Sequence, residues 1–206
     1  VGPGSAGFIN VEREAELSGS IHTKAFYILE GLLRSLLACH HPIALDASLA
    51  FEQSYGGIDG DSASGAETCC LLSALARIPL RQDLAMTGAI DQFGNILPVG
   101  GVNEKIEGFF DVWVDRGMDG AGGVLIPESN GGDLMLRPDL VEAAREGRFA
   151  IHAISTIHQA LELLTGQSAE WVLRRAEARS RRFWKLVAPR GQASGPPVRS
   201  PGRPAR

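Results

Sequence analysis

Ile43-Ala44-Leu45-Asp46-Ala47-Ser48-Leu49-Ala50-Phe51-Glu52 and, a few residues on, Asp59-Gly60-Asp61-Ser62-Ala63-Ser64-Gly65-Ala66-Glu67 carry the reading of the fold. In the first stretch Ile43, Leu45, Ala47, Leu49 and Phe51 alternate with Ala44, Asp46, Ser48, Ala50 and Glu52. That is the period-two pattern of a strand with one buried face. A glycine-bearing turn over 55–60 follows. From Ser62 to Leu75 the period becomes helical, with Ala63, Ala66, Cys70 and Ala74 sharing one face. Small residues there let the helix sit close to what it covers. Strand, tight turn and helix succeed one another, and Ser62 stands at the last junction, where free N–H groups favour negative charge.

The alternation of periods continues outward. Residues 8–12 read as a short strand. Residues 21–39 read as a helix through Ala25, Ile28, Leu29, Leu32 and Leu36. Residues 83–91 read as a strand with Leu84, Met86, Gly88 and Ile90 on one side and Thr87 on the other. Phe93-Gly94-Asn95 is a turn, and 96–99 its returning hairpin partner. A helix over 102–116 packs through Ile106, Phe109, Phe110 and Trp113; short strands at 124–126 and 149–154 flank a helix at 140–146. Thr156-Ile157-His158-Gln159 has the form of a capping box for a last core helix that Gly166 ends. Interleaved strands and helices predict an α/β (α+β) fold. Residues 1–170 are expected to form one domain. Residues 171–206 form a basic, Pro/Gly/Arg-rich tail, helical over 174–185 and disordered past Val187.

The 206 residues are 44% hydrophobic, enough for a sizeable core. The net charge of −4 conceals an asymmetry. From Trp171 onward ten Lys/Arg face one acid, Glu177, so the preceding body carries −13. An acidic body argues against a nucleic-acid-binding core. The tail leaves nucleic acid open as a partner, although a solvated terminus is the commoner meaning of such a run. No apolar run is long enough to span a bilayer. Cys39, Cys69 and Cys70 form no CxxC pair and read as small core residues of a reduced, cytoplasmic protein. His22, His40, His41, His152 and His158 lack metal-ligand spacing, so no metal is expected; only His22, near a helix start, stands out. Neither GxxxxGK[ST] nor GxGxxG occurs, so no nucleotide site or cofactor is expected in this chain. With Val at position 1 and no secretory h-region after it, the sequence reads as a piece of a longer protein.

A serine hydroxyl needs a base to become a nucleophile, and a desolvated lysine amine can serve. Lys105, in Gly100-Gly101-Val102-Asn103-Glu104-Lys105, falls in the first turn of its helix. The field there disfavours a cation, and burial beside Ile106 and Phe109 would favour the neutral amine further. The backbone N–H groups of Asp61 and Ser62 are candidates for an oxyanion hole. Thr87 is placed to orient the lysine, and Asp59 to pair with it. Each residue also has an ordinary reading: Asp61 or Ser62 as an N-cap, Lys105 as a surface lysine beside Glu104, Thr87 as a strand residue, Asp59 as an Asx-turn acid. On these residues alone the ordinary readings hold the larger share.

The longer motifs change that balance. Phe51-Glu52-Gln53-Ser54-Tyr55-Gly56-Gly57, Gly60-Asp61-Ser62-Ala63-Ser64, Asn103-Glu104-Lys105-Ile106-Glu107-Gly108-Phe109-Phe110 and Gly123-Val124-Leu125-Ile126-Pro127 follow in order. Together the chain resembles the proteolytic domain of Lon proteases, nearer the B-type and Lon-related bacterial branch, over about 8–166. The resemblance implies a Lon-type fold of small mixed sheets flanked by helices, and a serine endopeptidase with Ser62 and Lys105 as catalytic dyad. Thr87, in Ala85-Met86-Thr87-Gly88, would support the lysine, and Asp59 corresponds to an acid with active-site contacts in some members. It further implies unfolded polypeptide substrates and a homo-hexamer. ATP and Mg would bind only at an AAA+ ATPase module elsewhere in the full-length chain. Ala25 stands where glycine is expected after His-x-Lys, and Ala89 where A-type relatives carry glutamate; the family usually has strands upstream of Phe8, and part of that sheet is expected to be lacking here. The rival readings are a catalytically silent Lon-like assembly domain, which loss of the serine or lysine would mark, and a nucleic-acid-associated module acting through the tail.

Overall fold

Strand β7 (Gly122–Pro127) is buried along its whole length, and the rest of the molecule is arranged about it. The computed structural model describes residues 1–37, 41–117 and 122–188. Before β7 come β1 (Gly2–Pro3), β2 (Gly7–Asn10), α1 (Val11–Glu14), α2 (Ser20–Leu37), β3 (Leu45–Leu49), α3 (Ser64–Ala76), β4 (Leu84–Met86), β5 (Ala89–Ile90), β6 (Ile96–Leu97) and α4 (Val102–Asp115). After it come a 3-10 turn (Glu128–Asp133), α5 (Pro138–Arg145), β8 (Phe149–Ile154), α6 (Ile157–Thr165) and α7 (Ala169–Val187).

Three small sheets result, interleaved with the helices of a mixed α/β fold. One has the order β1-β3-β2, with β2 parallel and β1 antiparallel to β3. The second, β4-β7-β8, is wholly parallel, and β5 and β6 form a separate antiparallel hairpin. A central parallel strand needs apolar cover on both faces, and β7 has it. Leu125 joins the larger core with Phe26, Leu29, Leu33, Leu72, Leu161 and Val172. Val124 and Ile126 face a smaller core with Ile106, Phe110, Trp113, Leu140 and Phe149. Phe149 meets Phe110 edge-on at 5.1 Å and Trp113 at 5.8 Å between ring centroids.

The expected elements are present, with instructive differences. The strand read over 8–12 stops at Asn10, whose side chain accepts from Arg13 N and starts α1. The strand read over 83–91 breaks at Thr87-Gly88 into β4 and β5. Thr87 N still donates to Leu125 O in β7, but Gly88 N donates to Ser62 O, so the chain changes partner there. The buried face of α3 is not the small-residue one: Cys69, Leu71, Leu72, Leu75 and Ala76 are buried, whereas Cys70 and Ala74 are exposed. Leucines remove more apolar area from water than alanines, and they set the rotation of the helix. Cys70 is therefore a surface residue; Cys39 lies outside the described residues.

The capping box forms as read, with Thr156 and Gln159 exchanging side-chain and backbone bonds, and Gly166 ends α6 in the left-handed region at φ 66°. The basic helix read over 174–185 is part of the longer α7, whose buried Val172, Ala176 and Phe183 belong to the larger core. The division drawn at 170/171 thus runs through a helix that packs on the body. The expected disorder lies outside the described residues. Among the described residues no helix is long and apolar enough to cross a membrane.

Candidate active site

Ser62 sits on a turn gripped from both sides by backbone. Ser64 N and Ser64 Oγ both donate to Asp61 O, at 3.0 and 2.8 Å. Ser64 Oγ in turn accepts from Ile90 N at 3.0 Å, tying the turn to β5. Gly88 N donates to Ser62 O at 2.8 Å, and Gly65 N to Gly88 O at 3.1 Å. That contact needs glycine at position 65, because a Cβ there would lie 2.9 Å from Gly88 O and 2.6 Å from Met86 Cε. α3 begins at Ser64, so Asp61 and Ser62 precede its first turn, and their N–H groups have no hydrogen-bond partner among the described residues.

Lys105 comes from the opposite wall. Gly101 takes a left-handed conformation as N-cap of α4, and Lys105 N donates to its carbonyl. The side chain reaches across the cleft: Nζ lies 3.1 Å from Ser62 Oγ and 3.0 Å from Gly100 O. The structure therefore brings Ser62 and Lys105 together. It does not bury the lysine as its neighbours suggested. Ile106 fills the smaller core, and Lys105, one position back on the helix, is exposed. The cleft between them, about 240 Å³, is also lined by Met86, Thr87 and Val124.

The two supporting candidates sit differently from expectation. Thr87 is buried, but its hydroxyl donates to Ser62 O, a long 3.4 Å bond, and makes no hydrogen bond to the lysine amine. It steadies the serine's own carbonyl. Asp59 forms no ion pair with Lys105. Its carboxylate accepts from Ile21 N at 3.0 Å and His22 N at 3.2 Å, capping the first turn of α2. Free helix N–H groups outcompete a single ammonium here because several converge on one carboxylate. Bonds from Gly60, His22 and Ile21 N–H hold the Asp59 carboxyl below the usual carboxylate range.

Other residues of the site escaped the sequence reading. Asn130, nearly fully buried, accepts from Val99 N at 2.9 Å and donates to Val99 O at 3.2 Å. It fixes the strip that presents Gly100 O to the lysine. Behind the serine turn, His22 Nε2 and Glu67 Oε1 lie 2.9 Å apart in a buried pair, and Ser18 Oγ meets His22 Nδ1 at 2.9 Å. Burial pushes the Glu67 carboxyl up, and His22 opposes that shift. Gly19 N donates to Ile58 O and Ile58 N to Leu17 O, so this buried pair backs the loop leading to Ser62. The only signal for it was the position of His22 at a helix start. Among the described residues no group of three or more His, Cys, Asp or Glu could hold a metal ion.

With that geometry established, residues 55–166 match the profile of the Lon protease (S16) C-terminal proteolytic domain. The chain belongs to the Lon proteolytic-domain family. A putative Lon protease homolog of Escherichia coli (strain K12) is 50% identical over 161 residues, 78% of this chain and 28% of that protein. A putative Lon protease homolog of Haemophilus influenzae is 49% identical over 164 residues, 80% and 27% of the two chains. The archaeal Lon protease of Thermococcus kodakarensis is 38% identical over 132 residues, 63% and 19%. This Lon domain thus spans about a quarter of the length of the first two relatives. The matched region contains both Ser62 and Lys105.

Proposed function

We propose that this Lon-type domain is a serine endopeptidase domain in which Ser62 is the nucleophile and Lys105 its general base. The reading is carried by the 3.1 Å approach of Lys105 Nζ to Ser62 Oγ, in a family whose members are named proteases. In the neutral amine, an N–H donated to Gly100 O leaves the lone pair free to face the serine hydroxyl. Ser62 Oγ attacks the peptide carbonyl as its proton passes to Nζ. The oxyanion that forms is met by Asp61 and Ser62 N–H, which have no other partner among the described residues. Collapse of the tetrahedral species breaks the C–N bond, and Lys105 returns the proton to the departing amine. Water then attacks the acyl carbonyl as its proton passes to Lys105; the second tetrahedral species breaks the C–Oγ bond, and Lys105 returns that proton to Ser62 Oγ, freeing the acid product.

Thr87 and Gly88 act as positioning residues, holding the Ser62 carbonyl while its side chain reacts. Asp59 acts on the loop through α2 and not on the lysine. The substrates we infer are unfolded polypeptides, since Ser62 is only half-exposed and the cleft of about 240 Å³ has room for one strand of peptide and not for a folded surface. ATP dependence, with Mg, is assigned to an AAA+ module elsewhere in the full-length protein, working as a homo-hexamer in the cytoplasm.

The test is direct. An unstructured polypeptide incubated with the full-length protein, quenched in acid and examined by mass spectrometry, is expected to leave an acyl adduct on Ser62. Ser62→Ala should lose both adduct and cleavage while keeping its melting temperature. Undiminished cleavage in Ser62→Ala would end the proposal.

A further inference from the structure

A second cleft, about 630 Å³, lies between the end of α3 and one face of α7, and its charge is one-sided. Arg77, Arg175, Arg179 and Arg182 line it, with Phe183 and Pro3, and no carboxylate does. Positions 175, 179 and 182 follow the i, i+4, i+7 spacing of one helix face. Arg77 is the left-handed C-cap of α3, at φ 56° and ψ 50°, which turns it toward the same opening.

The rest of α7 shows that this is not simply a basic helix. Arg174 pairs with Glu170 and Arg181 with Glu177, both at i,i+4 spacing. The arginines of the cleft have no such acid among the described residues. Arg175 Nε donates to Ala76 O at 3.2 Å, and its guanidinium lies 5.0 Å over Trp171. Arg179 lies 5.1 Å over Phe183, and its Nη1 is buried without a hydrogen-bond partner among the described residues. Arg77 and Arg182 have no ion pair there either. Burial and then the charges of Arg77 and Arg182 disfavour the Arg179 cation. Residues 189–206 contain no Asp or Glu, so their side chains offer no counter-charge.

Guanidinium groups gathered without an acid, one of them with a buried unbonded nitrogen, leave charge and donors to be met from outside. We propose that Arg77, Arg179 and Arg182 form a binding site for a multiply charged phosphate anion, with Arg175 at its edge. A single carboxylate would neutralise one cation; two linked phosphates match three or four and present oxygens to each planar fork. The volume admits a ligand of that size. Phe183 and the stacked Trp171 hold the arginines in place and lower the entropy cost of the forked contacts. The site is separate from Ser62 and Lys105, and the proposal does not rest on the proteolytic reading.

Titration of the full-length protein with inorganic pyrophosphate at fixed ionic strength, in the absence of Mg and nucleotide, tests it. A saturable component that the cleft arginines carry is expected, apart from any at the nucleotide module, with affinity falling as salt is raised. Arg179→Gln should weaken binding at least about tenfold. So should the double variant Arg77→Gln/Arg182→Gln, whose exposed positions leave the fold intact if Arg179→Gln does not. Arg145→Gln, an exposed arginine on α5, should bind as the parent does. No saturable binding, or equal affinity in the cleft variants and the parent, would overturn the proposal. A single-stranded oligonucleotide held by these arginines and not displaced by pyrophosphate would overturn it too, in favour of a nucleic-acid surface.

Discussion

Ser62 and Lys105 reach one cleft from walls built in opposite ways. The serine arm is a backbone clasp: Ser62, Gly65 and Gly88 exchange main-chain bonds, and there is no room at position 65 for a side chain. The lysine arm is a long exposed side chain on α4, steadied at its tip by Gly100 O and at its base by a small aromatic core. One arm is held by main-chain hydrogen bonds packed too closely for a side chain, the other by a few polar contacts at the end of a long side chain. The difference teaches where each fails. Backbone substitutions should break the serine arm, and polar ones should loosen the lysine arm.

The largest effect is expected from Lys105→Arg. It keeps the charge and much of the reach, but a guanidinium does not give up its proton. Peptide cleavage should fall on the order of 10³-fold with melting temperature unchanged, and substantial turnover would remove lysine from the chemistry. Gly65→Ala comes next. Its Cβ would press on Gly88 O, so the clasp must open, at about 1–3 kcal/mol in stability together with a drop in kcat. A fully active, equally stable Gly65→Ala would show the clasp to be slack.

Asn130→Ala sharpens the other side. It leaves Val99 N–H and C=O without their partner, at about 1–3 kcal/mol, and lets Gly100 O drift from the lysine. Cleavage should drop less than in Gly65→Ala, and kcat more than KM; an effect confined to KM would assign Asn130 to substrate binding. Asp59→Asn should matter least at neutral pH, because asparagine also caps helices. Its mark is in acid. The folded-state carboxyl of Asp59 is held low, so its stabilisation is present above the usual carboxylate range and lost as pH falls through it. The parent should therefore lose melting temperature below about pH 4 more steeply than Asp59→Asn. Identical acid limbs would contradict the cap.

Local signals carried much of the fold. The capping box at Thr156, the stop at Gly166 and the strand at Phe149–Ile154 were legible because each is set by residues within one turn or by a clean period. The approach of Ser62 to Lys105 was legible only through long motifs, since nothing in either segment points across the gap between them. What the sequence hid is consistently long-range. The break at Thr87-Gly88 arises because Ser62, not β7, takes the next N–H, and the local alternation runs on unaltered. Asp59 bonds Ile21 N, 38 residues earlier, His22 meets Glu67 across 45 residues, and Asn130 reaches back 31 to Val99. The rotation of α3 depends on which neighbours compete for its leucines, so Cys70 could not be told from Cys69.

The central strand has a temporal meaning as well. Both members of the pair precede β7 in the chain, yet β4 has its ladder, and Thr87 its carbonyl partner, only once Gly122–Pro127 is in place. β7 in turn takes its other neighbour from Phe149–Ile154, through a parallel pairing that cannot be made locally. A ribosome thus makes Ser62 and then Lys105 before it makes the strand that sets them facing each other. Chains ended before residue 122 should carry both side chains and cut nothing, which peptide assays on such truncations would show. A serine–lysine pair wired in this order stays unassembled until the domain is nearly whole.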